Sequence, residues 1–244
     1  MKPTIEKALA AGIALAVAGG LAVIAMAAAP GTPRGAVSAP REAVRVLPAP
    51  LGAAAYKDDR THASVVFAGG CFWGVQGVFQ HVKGVSNAVS GYIGGSPGDA
   101  RYDRVSRGAT GHAEAVRVDY DPRQVSYGQL LQVFFSVAHD PTQLNRQGPD
   151  VGSQYRSAIF TPDARQQAAN QAYVRQIQPA LQAPVATRLE DGQRFHPAED
   201  YHQNYMARFP QAPYIRYYDA PKLAALRQQF PALYRSEPHL VPMQ

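Results

Sequence analysis

SVVFAGGCFWGVQGVF, at residues 64–79, is the stretch that sets the fold expectation. Residues 64–68 are mostly β-branched or apolar, which is typical of a short buried strand. Gly69 and Gly70 end that run, and apolar residues then recur at 72, 75, 78 and 79, the spacing of one helix face. The stretch therefore predicts a strand that turns directly into a helix beginning at Cys71.

Strands and helices continue to alternate along the rest of the chain. Period-two or apolar runs predict the strands, amphipathic runs predict the helices, and residues 95–111 are predicted to form a polar loop. Ser126 is a plausible N-cap, and Thr161 with Pro162 is predicted to open the following helix. The order of strands and helices along the chain predicts an α+β fold, a two-layer sandwich with one mainly antiparallel sheet in a ferredoxin-like arrangement. The further predicted elements are strands at 85–93, 113–120, 157–160 and 185–189, and helices at 126–137, from 161 onward, and at 199–209.

Composition excludes several classes of protein. The chain has 244 residues, 46% of them hydrophobic, which is too apolar for a wholly disordered protein. Its single cysteine, Cys71, excludes an internal disulfide, a CxxC redox pair and a zinc site of several thiolates. The net charge of +6 is spread along the chain without a basic cluster, so we expect no nucleic acid partner.

The N-terminus predicts export. Lys2 and Lys7 precede an uncharged apolar run at residues 8–29, the pattern of a secretory signal or a membrane anchor. We therefore assign 1–29 to a signal peptide or anchor, and expect a periplasmic protein or one anchored in the membrane and facing the periplasm. The Pro/Ala-rich residues 30–60 predict a flexible tether, and residues 61–244 are assigned to the folded domain and its C-terminal tail.

Cys71 is the candidate nucleophile. A free cysteine is commonly a small buried apolar residue, but here it stands at a predicted helix N-terminus. Unpaired N–H groups and the helix dipole favour an anion there, which predicts a lowered thiol pKa and a reactive thiolate.

Seven sequence blocks resemble the A-type peptide methionine sulfoxide reductases. They follow one another in order from about Val65 to the low 210s, so a chance match is excluded in practice. The blocks are GCFWG at 70–74, GYIGG at 91–95, Tyr102, GHAEAV at 111–116, HDP at 139–141, RQGPDVGSQYRS at 146–157 and PAEDYHQ at 197–203.

The resemblance implies a reaction and a set of site residues. A Cys71 thiolate attacks the sulfoxide sulfur, and a buried neutral acid protonates the departing oxygen, leaving methionine and a sulfenic acid. The resemblance also implies selectivity for the S epimer. The implied catalytic residues are Cys71, Glu114 as the acid, and Tyr102 and Tyr155 as phenols on the oxygen, and the implied substrate-binding residues are Phe72, Trp73 and Asp150.

The chain departs from many relatives in one respect that matters for turnover. Those relatives carry further cysteines in the C-terminal tail, whereas this chain has none beyond Cys71. We therefore expect an external thiol, thioredoxin-like, glutaredoxin-like or small, to reduce the sulfenic acid. The expected substrates are oxidised proteins or peptides and free methionine sulfoxide. We expect no bound cofactor and no metal, and a monomeric protein.

Three other functions are alternatives for the same residues: a cysteine hydrolase, an inactive binding module and a thiol peroxidase. A cysteine hydrolase would need a base, for which His112 is the candidate, and it would cleave esters or amides. An inactive module would bind oxidised methionine without consuming it. A thiol peroxidase would need a Thr/Arg arrangement around Cys71 that the sequence does not show.

Overall fold

A computed structural model describes residues 45–191 and 193–243. The predicted signal or anchor at 1–29 and the tether residues 30–44 lie outside the described residues. Within the part that is described, no helix is both long and apolar enough to cross a bilayer.

In the part of the chain that the structure describes, six strands form the main sheet. In space they follow the order β7-β6-β1-β3-β2-β8, and every neighbouring pair is antiparallel except β6 and β7. The predicted α+β class with a mainly antiparallel sheet is confirmed, and the ferredoxin-like arrangement stays a prediction. The strands, including a separate two-stranded ribbon of β4 and β5, are β1 Ala63–Gly69, β2 Val85–Ile93, β3 Ala113–Tyr120, β4 Arg146–Gln147, β5 Asp150–Val151, β6 Ser157–Thr161, β7 Arg188–Asp191 and β8 His196–Pro197.

Within the described residues, six α-helices and several shorter turns accompany the sheet. The π-helical turn Phe134–Ala138 continues α3, and a second one, Ile215–Asp219, leads into α6. The α-helices are α1 Phe72–Gln80, α2 Tyr102–Val105, α3 Tyr127–Val133, α4 Ala164–Ile177, α5 Tyr205–Arg208 and α6 Ala220–Gln229, and the 3-10 turns are Gly52–Ala55, Pro97–Asp99, Ser153–Tyr155, Gln178–Ala180 and Asp200–His202.

The main core lies between the sheet and α1. Phe67 of β1 stacks on Phe79 of α1 at 5.1 Å between ring centroids and on Phe134 at 4.5 Å. Stacked aromatic pairs contribute beyond the area they bury, so these rings fix α1 against β1. The strand and the helix that flank Cys71 are therefore held rigidly.

Two helix starts show how capping defines the elements. The predicted N-cap Ser126 is confirmed, because its side chain accepts from Gln129 N while the Gln129 side chain accepts from Ser126 N. The predicted cap at Thr161 is wrong: Thr161 ends β6, and Asp163 caps α4 through the backbone N–H groups of Arg165 and Gln166.

Two predictions in the C-terminal half need correction. The strand predicted at 185–189 begins later, as β7 at Arg188. The helix predicted at 199–209 is broken by Asn204, which has a positive φ of 59°. Its backbone N–H donates to the side chain of Gln76, and buried Gln203 bonds to the backbone of Ser90, so polar contacts replace helical ones.

The flexible tether predicted for residues 30–60 is wrong for residues 45–60. Leu47 is 1% exposed, and its N–H donates to Ser136 Oγ at 3.0 Å. Tyr173 donates its hydroxyl to the carbonyl of Pro48, and Ala54 is buried in the Gly52–Ala55 turn. Apolar side chains inside a Pro/Ala-rich stretch thus dock on the domain, which is packed from residue 45 onward.

Candidate active site

Cys71 stands at the junction of β1 and α1. Gly70 has a φ of 88°, and a Cβ there would lie 2.4 Å from Cβ of Gln147, so only glycine allows this tight turn. Cys71 itself is the N-cap of α1 and is 8% exposed.

The prediction of a lowered thiol pKa is wrong for the resting protein. Burial raises the pKa of the Cys71 thiol well above its usual value, and the nearby Glu114 and Asp219 carboxyls raise it further. The backbone N–H of Trp73 acts in the opposite direction. The helix start therefore stabilises a thiolate once it forms, but desolvation keeps the resting sulfur protonated.

Glu114 lies beside Cys71 and holds a proton. It belongs to β3, is 2% exposed, and its Oε2 accepts the backbone N–H of Phe72 at 3.1 Å. Burial raises its pKa to about 8, with a smaller contribution from Asp150, against the lowering effect of the Phe72 N–H. A neutral carboxylic acid thus meets the first residue of the helix that Cys71 caps.

Two phenols complete this polar group. The pKa values of Tyr102 and Tyr155 are raised mainly by burial. The charges of Glu114 and Cys71, among others, raise them further. Both side chains therefore lie within electrostatic range of the acid and the thiol. The backbone N–H of Tyr102 is held by Glu199 at 3.0 Å, which fixes the start of α2.

Aromatic rings line the region next to Cys71. Phe72 is 1% exposed, and its ring centroid lies 5.0 Å from that of His202. Trp73 donates its indole N–H to His202 Nδ1 at 3.2 Å and stacks on Tyr205 at 3.8 Å. Tyr214 meets the Trp73 ring edge-on at 5.9 Å.

Asp150 joins the site through Tyr214. The Tyr214 hydroxyl donates to Asp150 Oδ2 and links the C-terminal segment to β5. Burial raises the pKa of Asp150, although the Tyr214 hydroxyl and Lys222 act to lower it. All seven residues predicted for the site therefore lie around the start of α1.

Sequence reasoning missed three residues of this site. His202 lies in the PAEDYHQ block, but the sequence gives it no part in the predicted site. Tyr205 lies in the helix predicted at 199–209, and Tyr214 lies in the tail beyond it; neither carries a sequence signal for the site beyond its aromatic character.

His112, the candidate base of a cysteine hydrolase, has both ring nitrogens in hydrogen bonds. His112 accepts the N–H of Gly95 at Nδ1 and bonds the carbonyl of Ser96 through Nε2. Both ring nitrogens are engaged, so the base that a cysteine hydrolase would need is not available. Across residues 45–191 and 193–243, no group of three His, Cys, Asp or Glu side chains is placed to hold a metal ion.

Known proteins match this chain over its folded part. The family model for peptide methionine sulfoxide reductase matches residues 63–233. Peptide methionine sulfoxide reductase MsrA 2 of Mesorhizobium japonicum is 59% identical over 180 residues, covering 73% of this chain and 92% of the relative. Its namesake from Synechocystis sp. is 52% identical, covering 68% and 78% of the two chains.

Two solved structures also resemble this chain in fold and sequence. Reduced Mxr1 from Saccharomyces cerevisiae matches with a TM-score of 0.58 and 31% identity, covering 64% of this chain and 91% of that one. Methionine sulfoxide reductase A of Corynebacterium diphtheriae gives 0.55 and 33%, covering 62% and 77%.

Fold and site together define an oxidoreductase that acts on methionine sulfoxide. The chain belongs to the A-type peptide methionine sulfoxide reductase family.

Proposed function

We propose that the protein reduces methionine S-sulfoxide, free or peptide-bound, by thiol chemistry at Cys71, through a sulfenic acid and outside the cytoplasm. The proposal rests on the pairing of Cys71 with a protonated, buried Glu114 at one helix start.

Oxygen transfer follows from the positions of the acid and the phenols. Neither the Tyr102 nor the Tyr155 hydroxyl donates to another described residue, so both are available to the sulfoxide oxygen. Glu114 gives its proton to that oxygen as Cys71 sulfur attacks the substrate sulfur. The oxygen then passes to Cys71, the sulfur–oxygen bond of the substrate breaks, and the thiol proton restores Glu114. The products are methionine and the sulfenic acid.

The same placement explains how a thiol with a raised pKa reacts. Glu114 is mostly neutral near pH 7, so it adds little to burial and to the Asp219 carboxylate, which raise the Cys71 pKa. The thiolate formed during attack accepts the Trp73 N–H at the start of α1. Preorganised donors stabilise charge only as it develops, which is the condition for catalysis.

Substrate selectivity is assigned to the aromatic rings. Phe72 and Trp73, backed by Tyr205 and Tyr214, give an apolar surface for the methyl group, and Asp150 orients the substrate. Preference for the S epimer is part of the proposal.

Turnover then requires a thiol from outside the chain. Cys71 is the only cysteine in the sequence, so the sulfenic acid cannot be resolved internally. An external thiol forms a mixed disulfide with Cys71 and releases water, and a second thiol regenerates Cys71. A thioredoxin-like protein, a glutaredoxin-like protein and a small thiol are the classes that satisfy this chemistry.

A single-turnover experiment tests the chemistry. The reduced protein is mixed with one equivalent of the S epimer without reductant, and Cys71 is analysed by mass spectrometry after trapping with dimedone. We expect methionine release together with a dimedone adduct at Cys71. The R epimer and the Cys71→Ser variant are the matched controls, and both should give neither product. Methionine release from a protein with unmodified Cys71 would contradict the scheme.

Export is tested separately. The argument is Lys2 and Lys7 ahead of the apolar residues 8–29. Expression of the full chain in a Gram-negative host should place the enzyme in the periplasm or the inner membrane, accessible to external protease in spheroplasts. Recovery of the intact chain from the cytosol would refute this assignment.

A further inference from the structure

The two phenols of the candidate site come from separate segments of the chain. Tyr102 begins the one-turn helix α2, whereas Tyr155 ends the 3-10 turn Ser153–Tyr155. For both hydroxyls to act on one oxygen, the distance between these segments has to be fixed to within about 0.5 Å. A single helical turn is not stable alone, so neither segment can fix this distance by itself. The contacts around the two turns must therefore set the separation of the phenols.

Helix α2 has few apolar contacts to hold it in place. Of its four residues, Val105 alone is fully buried. Glu199 holds the start of the helix by accepting the backbone N–H of Tyr102 at 3.0 Å. A helix this short can pivot about one hydrogen bond, so the position of Tyr102 also depends on how the end of α2 is held.

Gln154 supplies the support at the end of α2. Its side chain is 4% exposed, and its Nε2 donates to the carbonyl of Ser106, the C-cap of α2, at 3.1 Å. The preceding residue, Ser153, donates its hydroxyl to the carbonyl of Gly108 at 3.0 Å. Two adjacent residues of the turn that ends in Tyr155 thus bond to the segment that follows α2. These hydrogen bonds connect the segments that carry the two phenols.

The Gln154 side chain also fills the gap between the two segments. A Cβ on Gly108, which follows α2, would lie 2.9 Å from Gln154 Oε1. A Cβ on Gly152, which precedes the turn, would lie 2.2 Å from the same atom. Glycine is therefore needed on both sides of the amide, and the amide has little room to move. A side chain enclosed in this way transmits a change in the position of one segment to the other.

The Gln154 amide is better suited to placement than to stability. Its Oε1 has no hydrogen-bond partner among residues 45–191 and 193–243. A buried acceptor without a partner costs as much free energy as a typical hydrogen bond contributes, or more. The amide therefore adds little to the free energy of unfolding. Methionine has a similar length and would fill the same space, but it cannot donate a hydrogen bond to Ser106.

We propose that Gln154 is a positioning residue for sulfoxide reduction, which sets the distance between the Tyr102 and Tyr155 hydroxyls through its bond to Ser106. This inference rests on the proposed function, in which both hydroxyls bond to the sulfoxide oxygen as Cys71 attacks. Without the link the phenols move apart, and they stabilise the charge on the departing oxygen less well. Gln154 acts through the phenols and takes no part in the bond changes.

The test compares three variants of the full chain. Gln154→Met removes the amide, Ser153→Ala removes the second hydrogen bond, and Gln166→Met is the matched control. Gln166 is also a fully buried glutamine whose Nε2 donates to a backbone carbonyl, that of Ser64, but it lies on α4. Each protein is mixed with excess S sulfoxide at several concentrations without reductant, and the rate of methionine release in the first turnover is measured.

The rate at saturating sulfoxide should respond to the positions of the phenols. We expect Gln154→Met to lower this rate about tenfold and Ser153→Ala to lower it about threefold. The sulfoxide concentration that gives half the maximal rate should change little, because the phenols act mainly in the transition state. The midpoint of urea unfolding of Gln154→Met should stay close to that of the wild type. Gln166→Met should keep the wild-type rate of methionine release.

A second measurement separates placement of the phenols from a general structural effect. Gln154→Met and Ser153→Ala are each introduced into Tyr102→Phe/Tyr155→Phe, which has no phenol hydroxyl to place. We expect either substitution to slow methionine release by less than about twofold in this background, because the interaction that it weakens is already absent. An equal loss of rate with and without the two hydroxyls would overturn the proposal.

Two other results would overturn it as well. One is a wild-type rate at saturating sulfoxide in both Gln154→Met and Ser153→Ala. The other is a change confined to the half-saturating concentration, which would place Gln154 in substrate binding. Failure of the proposed function is read separately, as methionine release from the wild type without a dimedone adduct at Cys71.

Discussion

Replacing Glu114 by glutamine should change how the stability of the protein depends on pH. The folded protein raises the pKa of this carboxyl from 4.5 to about 8, mainly by burial. Between these values the folded state keeps a proton that the unfolded chain releases. The free energy of unfolding of the wild type therefore falls as pH rises through this window, and Glu114→Gln removes that loss.

The size of the effect follows from the two pKa values. Integrating proton release from pH 5 to pH 7 shows that the free energy of unfolding of the wild type falls by about 2.5 kcal/mol relative to that of Glu114→Gln. This is a large part of the roughly 5–15 kcal/mol that stabilises a typical domain. Glutamine keeps a side-chain oxygen that can accept the Phe72 N–H, so the substitution isolates the ionisation.

Urea unfolding at several pH values measures this difference. The single tryptophan, Trp73, provides a fluorescence signal from the site itself. Glu237→Gln, at an exposed carboxyl, is the matched control and should follow the wild type. Wild-type and Glu114→Gln stabilities that run parallel from pH 5 to pH 7, within about 0.5 kcal/mol, would refute a buried neutral carboxyl at this position.

Three further substitutions test the site and its supports. Gly74→Ala places a methyl group against Asp219 and should cost roughly 1–3 kcal/mol in urea unfolding, whereas Gly98→Ala, where nothing lies within 4 Å, should cost little. Equal stability of the two variants would contradict the close packing of Asp219. Ser126→Ala removes the capping box of α3 and should lower stability by about 1 kcal/mol in thermal unfolding, and an unchanged midpoint would speak against that cap. Tyr155→Phe should slow single-turnover methionine release by roughly tenfold to 10²-fold with normal stability, and an unchanged rate would exclude Tyr155 from the oxygen site.

Local patterns predicted the central elements because each carried its own signal. β3 alternates with period two, and the structure places it at Ala113–Tyr120 as predicted. The stripe after Cys71 is helical because Phe79 is buried against Phe67 of β1. In such elements the local sequence preference and the tertiary packing favour the same secondary structure, so the local sequence is sufficient to predict them.

Elements that depend on tertiary contacts were not predictable in this way. The break at Asn204 arises because the buried side chain of Gln76 on α1 accepts the Asn204 N–H, while the neighbouring Gln203 side chain donates to the backbone carbonyl of Ser90 on β2. α6 and the turn before it pack on α1 where Asp219 approaches Gly74, a contact that no periodicity predicts. The same reason explains why Tyr214 was missed, since its link to Asp150 spans 64 residues.

The candidate site shows the limit of a local electrostatic argument. A helix N-terminus predicts a lowered pKa for Cys71, but that argument omits burial, which only the folded structure supplies. Motif resemblance, by contrast, named seven residues that the structure places around the start of α1, although not His202, Tyr205 or Tyr214.

The docking of residues 45–60 has a practical consequence for anyone shortening this protein. The backbone of Leu47 forms hydrogen bonds with the side chains of Ser136 and Gln132. Ser136 lines a cleft of about 1190 Å³ that Cys71 also lines. A fragment starting at residue 61 would lose Leu47 and its hydrogen bonds to Ser136 and Gln132, which would loosen the wall of the cleft at Ser136. Truncated versions intended for crystallisation or enzymology should therefore begin no later than residue 45.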